Sequence, residues 1–350
     1  MSGTSLDGID AAFIISDGQA RVETGPAITV PYEDSLRATL RSVLGGKGDV
    51  PGVERALTEA HAHAVATLRK RDKLDDIDLI GFHGHTILHA PAMRRTWQIG
   101  DGALLAVLTG LDVVCDFRSA DVAAGGEGAP FVPLYHAALA AALEKPIAVL
   151  NIGGVANVTW IGEESDHLLA FDTGPGNAPL DDWVLQHTGN RFDADGALAL
   201  AGRADAARVA GFLAHPYFAR NPPKSLDRDE FGALLPRGEL SPADGAATLA
   251  AMIGGAIHRA AEHFPAPVKR WLVTGGGRHN RTLMAALAAI LQTDVAPVEA
   301  VGWDGDALEA QAFGYLAVRS LDGLALSLPG TTGAPRPMTG GSLFRANRRP

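Results

Sequence analysis

The sequence predicts an α/β fold with two duplicated lobes, and three observations lead to this prediction. The chain has 350 residues, and a single hydrophobic core rarely supports so long a chain. Short apolar runs typical of strands alternate with longer periodic runs typical of helices. A strand–turn–strand pattern begins each half of the chain, which favours a duplicated domain that holds a nucleotide between its lobes. We therefore expect one lobe over residues 1–145 and a second over 146–350.

The composition is that of a globular protein that does not bind nucleic acid. Hydrophobic residues make up 47% and charged residues 20% of the chain, as in ordinary folded domains. The formal net charge of -10 argues against a partner that presents a phosphate backbone. The lone cysteine, Cys115, excludes an internal disulfide framework and suits a reducing compartment. No leader-like or membrane-spanning segment is visible in the sequence, so we expect a cytoplasmic protein.

The opening segment, MSGTSLDGIDAAFII, places small residues, hydroxyls and a carboxylate ahead of an alternating apolar run. Gly3 lets the backbone approach a phosphate, and Thr4 and Ser5 add hydroxyl donors at the same place. Asp7 is suited to hold Mg²⁺ through water beside nucleotide phosphates. Because Asp7-Gly8 is also a strong hairpin signal, an ordinary hairpin is the alternative interpretation.

Three histidines follow in the segment LIGFHGHTILHAP. The periodicity before it predicts two strands and two helices, over 11–15, 21–30, 32–44 and 53–71. Imidazole suits zinc, but His83, His85 and His89 have no adjacent acidic partner and share one face only if the strand stays extended. Hydrogen bonding to phosphates or to a sugar is therefore the better interpretation.

A group of charged residues, Asp116, Arg118 and Asp121, follows the apolar pattern LDVVC. The planar guanidinium of Arg118 suits phosphate oxygens. A structural ion pair between Arg118 and one of the neighbouring aspartates is the alternative.

The second half contains a carboxylate at the end of a predicted strand. Its first segment, IAVLNIGGVANVTWIG, predicts two strands joined at Gly153-Gly154. Further on, AFDTGPGNAPLDDW predicts a buried strand, a glycine turn and a helix. Asp172 ends this strand, where open α/β sheets usually bind substrates, so we predict that Asp172 is a catalytic base. A helix cap, or an acceptor for turn amides, is the alternative role for this carboxylate.

A third glycine segment, LVTGGGRHN, follows a strand pattern and precedes a helix. Gly275, Gly276 and Gly277 suit a nucleoside contact, although a tight strand-to-helix connection needs the same residues. The sequence contains neither a complete phosphate-loop motif nor a complete dinucleotide-binding fingerprint.

Two further segments carry charged candidates. A helix pattern over 306–321 begins near Glu309, which faces the substrate or complements the helix dipole. The segment PPKSLDRDEF carries Lys224, Ser225 and Arg228, which bind a substrate carboxylate, assist closure of the lobes or are simply solvated.

Several long and ordered strings in this sequence together resemble one family. They are MSGTSLDGID, GFHGHTILHAP, WQIGDG, DFRSADVAAGGEGAP, NIGGVANVT, FDTGPGN, PPKSLDRDEF, TGGGRHN and PGTTGAPRP. From residue 1 to about 341, the sequence is similar to anhydro-N-acetylmuramic acid kinases, in the actin-like, sugar kinase and Hsp70 ATPase group.

The resemblance implies a two-lobed actin-like ATPase fold, with duplicated ribonuclease H-like domains and with ATP and Mg²⁺ in the cleft. It also implies that 1,6-anhydro-N-acetylmuramic acid, ATP and water become N-acetylmuramate 6-phosphate and ADP in peptidoglycan recycling. Because members of the family resemble homodimers, it implies a homodimer, although no patch in the sequence identifies an interface.

The same resemblance implies roles for individual residues. Asp172 would be the catalytic base, and Asp7 would be a ligand of Mg²⁺. The nucleotide contacts would be Gly3, Thr4, Ser5, Asp7, Gly8, Asp10, Gly153, Gly154, Gly275, Gly276 and Gly277. The substrate contacts would be His83, Asp116, Arg118, Asn157, Gly174, Asn177 and Glu309.

The sequence also departs from the family pattern in places. The family commonly has Gln where this chain has His85 and Glu127, and apolar residues that form a first central strand usually precede its MSGTS element. An ordinary sugar or acetate kinase, which adds no water, is the nearer alternative function. A non-catalytic sensor is the more distant one, because a fold does not fix a function.

Overall fold

The structure, a computed structural model, describes residues 1–3, 6–164, 166–226, 231–236 and 238–346. Thr4 and Ser5 of the predicted phosphate loop therefore lie outside the described residues, as does Arg228 of the PPKSLDRDEF segment.

Strands and helices are interspersed along the chain. From residue 1 to 142 they are β1 (Gly8–Ser16), β2 (Val22–Pro31), α1 (Asp34–Ser42), α2 (Val50–Asp72), β3 (Leu79–Gly81), β4 (His85–Ala90), β5 (Arg95–Ile99), α3 (Gly102–Thr109), β6 (Asp112–Cys115), α4 (Ser119–Ala124) and α5 (Pro133–Leu139). From 143 to 306 they are β7 (Ile147–Ile152), β8 (Val155–Ile161), β9 (Leu168–Pro175), α6 (Ala178–Thr188), α7 (Ala197–Leu200), α8 (Ala206–Leu213), α9 (Pro242–Ala261), β10 (Arg270–Thr274), α10 (Arg281–Leu291) and β11 (Asp294–Pro297). The remaining elements are α11 (Leu308–Leu321), α12 (Pro329–Thr332) and β12 (Ser342–Phe344).

Two compact units make up the chain. The first comprises Met1–Ala142 and the segment from Ala307 onward, and the second comprises Leu143–Asp306. The boundary lies three residues before the predicted one, and the larger difference is that the carboxyl-terminal segment belongs to the first unit. Its long helix α11 packs against β1 and β3, and β12 pairs antiparallel with β6. Such long-range pairing is not encoded in local periodicity.

The second unit is built on one continuous five-stranded sheet in the order β11-β10-β7-β8-β9. β10 is parallel to β7 and β11, whereas β8 is antiparallel to β7 and β9. The first strand of the unit is therefore central, which is the ribonuclease H-like arrangement that the resemblance implies. Four consecutive residues of β7, Ile147–Leu150, are buried, as expected for a strand covered on both faces.

The strands of the first unit form three separate sheets among the described residues, namely β1-β2, β12-β6-β3 and β4-β5. Both α2 and α11 pack against β1. A cavity of about 240 Å³ is lined by residues of β1, β3, α2 and α11, among them Ile14, Leu68, Ile80 and Val318. The hydrophobic core of this unit is accordingly divided into separate clusters.

The β1–β2 hairpin has its turn at a different position from the one predicted. Asp17-Gly18, rather than Asp7-Gly8, lies in the turn between the strands, and Gly18 has a φ of +69°. Asp7-Gly8 instead leads into β1. Gly8 is required there because a Cβ atom would lie 2.6 Å from the carbonyl oxygen of Val30 on β2.

The other predicted elements are present, with small shifts at their ends. α1 and α2 occupy the two helix patterns of the first half, and α11 occupies the pattern over 306–321. Among the helices of the described ranges, none is long and apolar enough to cross a membrane.

Candidate active site

Two glycine turns of the second unit are hydrogen-bonded to each other. Gly153 and Gly154 join β7 to β8, whereas Gly176 and Asn177 follow β9. The amides of Gly176 and Asn177 donate to the carbonyl oxygens of Gly154 (3.0 Å) and Gly153 (2.7 Å). The side-chain amide of Asn177 also donates to the Ile152 carbonyl at 3.0 Å. The ends of β7 and β9 therefore share one braced loop structure.

The third glycine segment follows β10, the parallel neighbour of β7, at the same edge of the sheet. Gly275 has a φ of +74°, and a Cβ there would lie 2.7 Å from the Ile152 carbonyl oxygen. A Cβ on Gly277 would lie 2.5 Å from the Ile152 side chain. Gly276 is exposed, and a Cβ there would meet only the Asn177 side chain, at 3.5 Å. The tight connection thus explains Gly275 and Gly277, whereas Gly276 has open space beside it.

Arg278 supports this glycine segment through a hydrogen bond and two ion pairs. Its side chain is only 3% exposed and forms ion pairs of 2.8 Å with both Glu299 and Asp306. Its Nη1 donates to the Gly275 carbonyl at 3.0 Å. No role for Arg278 was predicted, because its acidic partners, Glu299 and Asp306, are distant along the chain and meet it only in the folded unit.

Asp172 lies inside β9, half-buried and opposite Asn157 of β8. The pairing passes over Thr173, which makes a bulge, and a bulge re-aims the neighbouring side chain. The amide of Leu226 donates to Asp172 Oδ2 at 2.8 Å. The helix-cap alternative is wrong, because the N-cap of α6 is Asn177. The carboxylate therefore accepts a hydrogen bond from the amide of Leu226, which is distant in sequence, rather than from an amide of its own turn.

The PPKSLDRDEF segment reaches Asp172 through its backbone. The Asp172 amide donates to the Lys224 carbonyl at 3.0 Å. The Lys224 side chain is buried, with 3% of the residue exposed, and its ammonium group donates to the carbonyls of Tyr217 (3.1 Å) and Phe218 (3.3 Å). The solvated interpretation of Lys224 is therefore wrong, and its ammonium group faces protein carbonyls rather than a substrate carboxylate.

In the first unit, Arg118 and His83 form a hydrogen-bonded pair. Arg118 donates from Nε to His83 Nε2 at 3.0 Å and from Nη1 to the Gly128 carbonyl at 2.7 Å. Its guanidinium lies 5.2 Å from the Phe131 ring centre and 5.7 Å from that of Phe313. Burial and the nearby guanidinium lower the pKa of His83 well below its usual value. His83 is therefore a neutral acceptor for Arg118.

Arg118 pairs with His83 instead of forming the predicted ion pair with a neighbouring aspartate, and Asp121 has other partners. Asp121 accepts from the Gly128 amide at 2.8 Å and from the Thr332 hydroxyl at 2.7 Å, so it fixes the loop that Arg118 contacts. Asp116 is exposed and has a φ of +57°, a strained conformation for a non-glycine residue.

A polar cavity of about 230 Å³ lies beside this pair and is lined by His83, Asp116, Trp97 and Gln98, among others. The indole of Trp97 is 39% exposed, so a flat apolar surface borders polar groups. Neither Trp97 nor Gln98 was predicted as a site residue, although both lie in the WQIGDG string. A sequence signal that could have identified them is the adjacent pair of a tryptophan and a glutamine, which lies outside the apolar pattern of the neighbouring strands.

Glu309 and Asp10 bring two carboxylates into electrostatic contact in the first unit. Glu309 lies in the first turn of α11, with part of its surface open to solvent and protein atoms packed around the rest. Desolvation by the surrounding protein raises the pKa of its carboxyl, Arg118 lowers it, and Asp10 raises it. Asp10 accepts from the Thr29 hydroxyl at 2.6 Å.

The described part of the predicted phosphate loop approaches β1 closely. The carbonyl of Gly3 accepts from the Leu6 amide at 3.2 Å. Asp7 is exposed immediately before β1, and Gly8 is buried at its start.

The three histidines of the first half do not come together as metal ligands. His85 is fully buried, and its Nδ1 lies 2.9 Å from the Ser2 hydroxyl, so the predicted substrate contact through His85 is wrong. His89 is exposed and lies 3.0 Å from the Thr96 hydroxyl. Within the described ranges, the one group of three metal-ligand side chains is exposed and consists of Glu164, Asp166 and His167.

A family model described as anhydro-N-acetylmuramic acid kinase matches residues 1–346. The chain belongs to this family. A relative of that name from Paramagnetospirillum magneticum (strain ATCC 700264 / AMB-1) is 61% identical over 346 residues, which cover 97% of each chain. Another, from Acidiphilium cryptum (strain JF-5), is 58% identical over 99% of this chain and 97% of its own. Membership confirms the predicted family and its ATP-dependent kinase activity.

Solved structures are similar to this anhydro-N-acetylmuramic acid kinase family member at a low level. The activator of the 2-hydroxyisocaproyl-CoA dehydratase from Clostridium difficile with bound ADPNP is 10% identical, with a TM-score of 0.45, over 90% of this chain and 96% of its own. A ROK family glucokinase from Streptomyces griseus in complex with glucose and AMPPNP is 14% identical, with a TM-score of 0.42, over 90% and 97%. The sheet order of the second unit, rather than these likenesses, identifies the fold.

Proposed function

We propose that this kinase uses water to open the 1,6-anhydro ring of anhydro-N-acetylmuramic acid and transfers the γ-phosphoryl group of ATP to O6. The products are N-acetylmuramate 6-phosphate and ADP, in the recycling of peptidoglycan. One observation carries the proposal: in a chain of this family, Asp172 is held at a bulge of β9 beside two braced glycine turns.

Asp172 acts as the general base. It takes a proton from water while the water oxygen bonds to the anomeric carbon and the bond from that carbon to O6 breaks. The released O6 attacks the γ-phosphorus, and ADP leaves. The Leu226 amide on Oδ2 holds the carboxylate in one orientation. General-base catalysis of this kind contributes about 10²–10⁴-fold to the rate.

The glycine segments of the second unit are suited to the phosphates of ATP. Backbone amides at close-packed glycines present donors to anions without a side chain in the way. We assign nucleotide contacts to Gly153, Gly154, Gly275, Gly276 and Gly277, and from the first unit to Gly3, Asp7, Gly8 and Asp10. Preorganised donors stabilise the charge that develops on a transferring phosphoryl group.

Of the sugar contacts that we propose in the first unit, His83 and Asp116 line one cavity, and Arg118 contacts His83. Arg118 is held by His83, so its position is fixed before a ligand arrives. Asp116 and His83 line the cavity with Trp97, whose indole is suited to the apolar face of a pyranose ring. Glu309 presents a carboxylate that Arg118 influences electrostatically.

The second unit supplies further proposed substrate contacts at the end of β9. Asn157 lies opposite Asp172 in the sheet, and Asn177 is held by its bond to Ile152. Gly174 is buried, and a Cβ there would lie 2.8 Å from the Ala256 side chain. Gly174 therefore serves close packing on α9, which positions the neighbouring contacts.

The donor set of the first unit fits Mg²⁺. Mg²⁺ is usually held by one or two carboxylates together with waters and phosphate oxygens. Asp7 is exposed, and the carboxylates of Asp10 and Glu309 repel each other, which a cation would relieve. When bound, the ion would neutralise phosphate charge.

A cytoplasmic location and a homodimer belong to the same proposal. The location is supported by the use of ATP and by a lone thiol in the sequence. The homodimer is supported only by the family resemblance, and light scattering of the purified protein measures it directly.

The decisive experiment is mass spectrometry of the sugar product formed with ATP and Mg²⁺ in oxygen-18 water. The expected product gains one phosphoryl group and one labelled oxygen. A phosphorylated product without labelled oxygen would identify an ordinary sugar kinase. An unchanged sugar would contradict catalysis on this substrate and favour a sensor.

A further inference from the structure

Lys224 is a buried cation for which the reaction described above has no use. Only 3% of its surface is exposed. Burying an ammonium group costs free energy unless hydrogen bonds compensate for the lost water. Its ammonium group donates to the carbonyls of Tyr217 and Phe218 and lies 3.3 Å from His263 Nε2. It also lies 4.8 Å from the Tyr217 ring centre and 5.5 Å from that of Phe171. These contacts compensate the ammonium group from several sides.

Both segments that this ammonium group joins also touch Asp172. On one side, the Tyr217 hydroxyl donates to the Asp172 carbonyl at 2.6 Å. On the other, the Lys224 carbonyl accepts from the Asp172 amide at 3.0 Å, and the Leu226 amide donates to Asp172 Oδ2 at 2.8 Å. β9 is the last strand of its sheet, so these contacts replace the neighbouring strand that would otherwise hold its free edge.

We infer that Lys224 is a positioning residue for Asp172, because its ammonium group ties the Tyr217–Phe218 turn to the Lys224–Leu226 segment, and the two segments together orient the carboxylate. This inference rests on the proposed role of Asp172 as the base. Without the ammonium group, the Leu226 amide is free to move away from Oδ2. A displaced carboxylate would reduce the rate of the chemical step while leaving the ligand contacts in place.

The surroundings of Lys224 make the effect dependent on pH. Burial, together with Arg220 and Arg259, lowers the pKa of its ammonium group to about 8. His263, just after α9, lies close as well, with Nε2 3.3 Å from Nζ. The groups that face Lys224 are thus Tyr217 and Arg220 beside the turn and Arg259 and His263 on and after α9. The ammonium group is charged near neutral pH and is lost as the pH rises through about 8, so the turnover number should fall in that range.

The test is Lys224→Met, which keeps an apolar side chain of similar length and removes the charge. We expect kcat to fall about 10-fold to 100-fold, the effect of a small misplacement of a reacting group, with KM for ATP and for the sugar unchanged within about two-fold. The alkaline decrease of kcat near pH 8 should disappear. Lys269→Met is the matched control, because it removes an exposed ammonium group, paired with Glu144, from the same unit.

Three results would overturn the inference. They are an unchanged kcat, an alkaline decrease that persists in the variant, and a loss of kcat that merely follows a loss of folded protein, measured by circular dichroism and thermal unfolding. The double variant with Asp172→Asn separates this inference from the proposed function. If Lys224 acts through Asp172, Lys224→Met should have no additional effect on the residual kcat in that background. Should Asp172→Asn alone retain full activity, the proposed base itself would be wrong.

Discussion

The two units hold their candidate residues by different physical means. In the second unit most candidates are glycines, together with the Asp172 carboxylate and two asparagine side chains, and they are fixed by a bulge, by glycines such as Gly275 without space for a Cβ and by hydrogen bonds between loops. In the first unit, apart from two glycines, they are charged, imidazole and indole side chains, and the ionisation of His83 and of Glu309 depends on Arg118. Substitutions in the second unit should therefore act through geometry, and those in the first through charge and contact area.

The largest effect is expected for Asp172→Asn, which removes the base and keeps the acceptor for the Leu226 amide. We expect kcat to fall about 10²–10⁴-fold or more, with little change in the binding of ATP or sugar. Rapid-quench kinetics and calorimetry measure the two effects separately. Near-normal turnover in this variant would contradict the assignment of Asp172.

The role of geometry in the second unit is tested by comparing Gly275→Ala with Gly276→Ala. At Gly275 a Cβ would lie 2.7 Å from a carbonyl oxygen at a φ of +74°, whereas at Gly276 its nearest neighbour would be 3.5 Å away. We expect Gly275→Ala to lower the free energy of unfolding by about 1–3 kcal/mol and to raise KM for ATP.

Gly276→Ala should leave the free energy of unfolding almost unchanged, and thermal or urea denaturation measures this. If both variants are equally destabilised, the packing of β10 against β7 is not the reason for the glycines.

The role of charge in the first unit is tested by Arg118→Met, which removes the guanidinium that lowers the pKa of Glu309. Desolvation and Asp10 still raise this pKa in the variant, so the carboxylate becomes protonated at a higher pH than in the parent protein. We expect kcat/KM for the sugar to fall about 10-fold to 100-fold at pH 7, as for the loss of a charged hydrogen-bond donor. Its acid limb should move to higher pH.

Two further variants complete this pH measurement. Glu309→Gln should remove the contribution of Glu309 to the acid limb and leave only that of the base, Asp172. Arg94→Met, which removes an exposed arginine of the same unit, should leave the profile unchanged. An acid limb that stays in place in Arg118→Met would show that Glu309 does not bind the sugar as a carboxylate.

The smallest effect is expected for Trp97→Ala, which removes the exposed aromatic wall of the polar cavity. Aromatic contacts contribute about 0.5–1.5 kcal/mol beyond area burial, so KM for the sugar should rise about 2-fold to 10-fold with kcat nearly constant. Phe192→Ala, which removes an exposed aromatic ring of the second unit, is the control. An unchanged KM would place the sugar elsewhere.

Sequence reasoning found the strands, helices and glycine turns because these depend on local periodicity and on backbone conformations that few residues adopt. It also found Asp172 as a carboxylate of this strand, but it ended the strand too early, because β9 continues to Pro175. It failed at Lys224, since a lysine in a polar string gives no local sign that its ammonium group is buried against two carbonyls. It overlooked Arg278 for a similar reason, because Glu299 and Asp306 lie far from it in sequence.

The sequence by itself determined the family, the α/β class and the presence of glycines at the ends of β7, β9 and β10. Only the tertiary structure decided that the segment from Ala307 onward joins the first unit and that Arg118 pairs with His83 rather than with an aspartate. Local propensity sets where a strand or a turn forms. The partner of a buried charge depends on which distant segments pack together, because desolvation makes each buried polar group dependent on the neighbours that folding supplies.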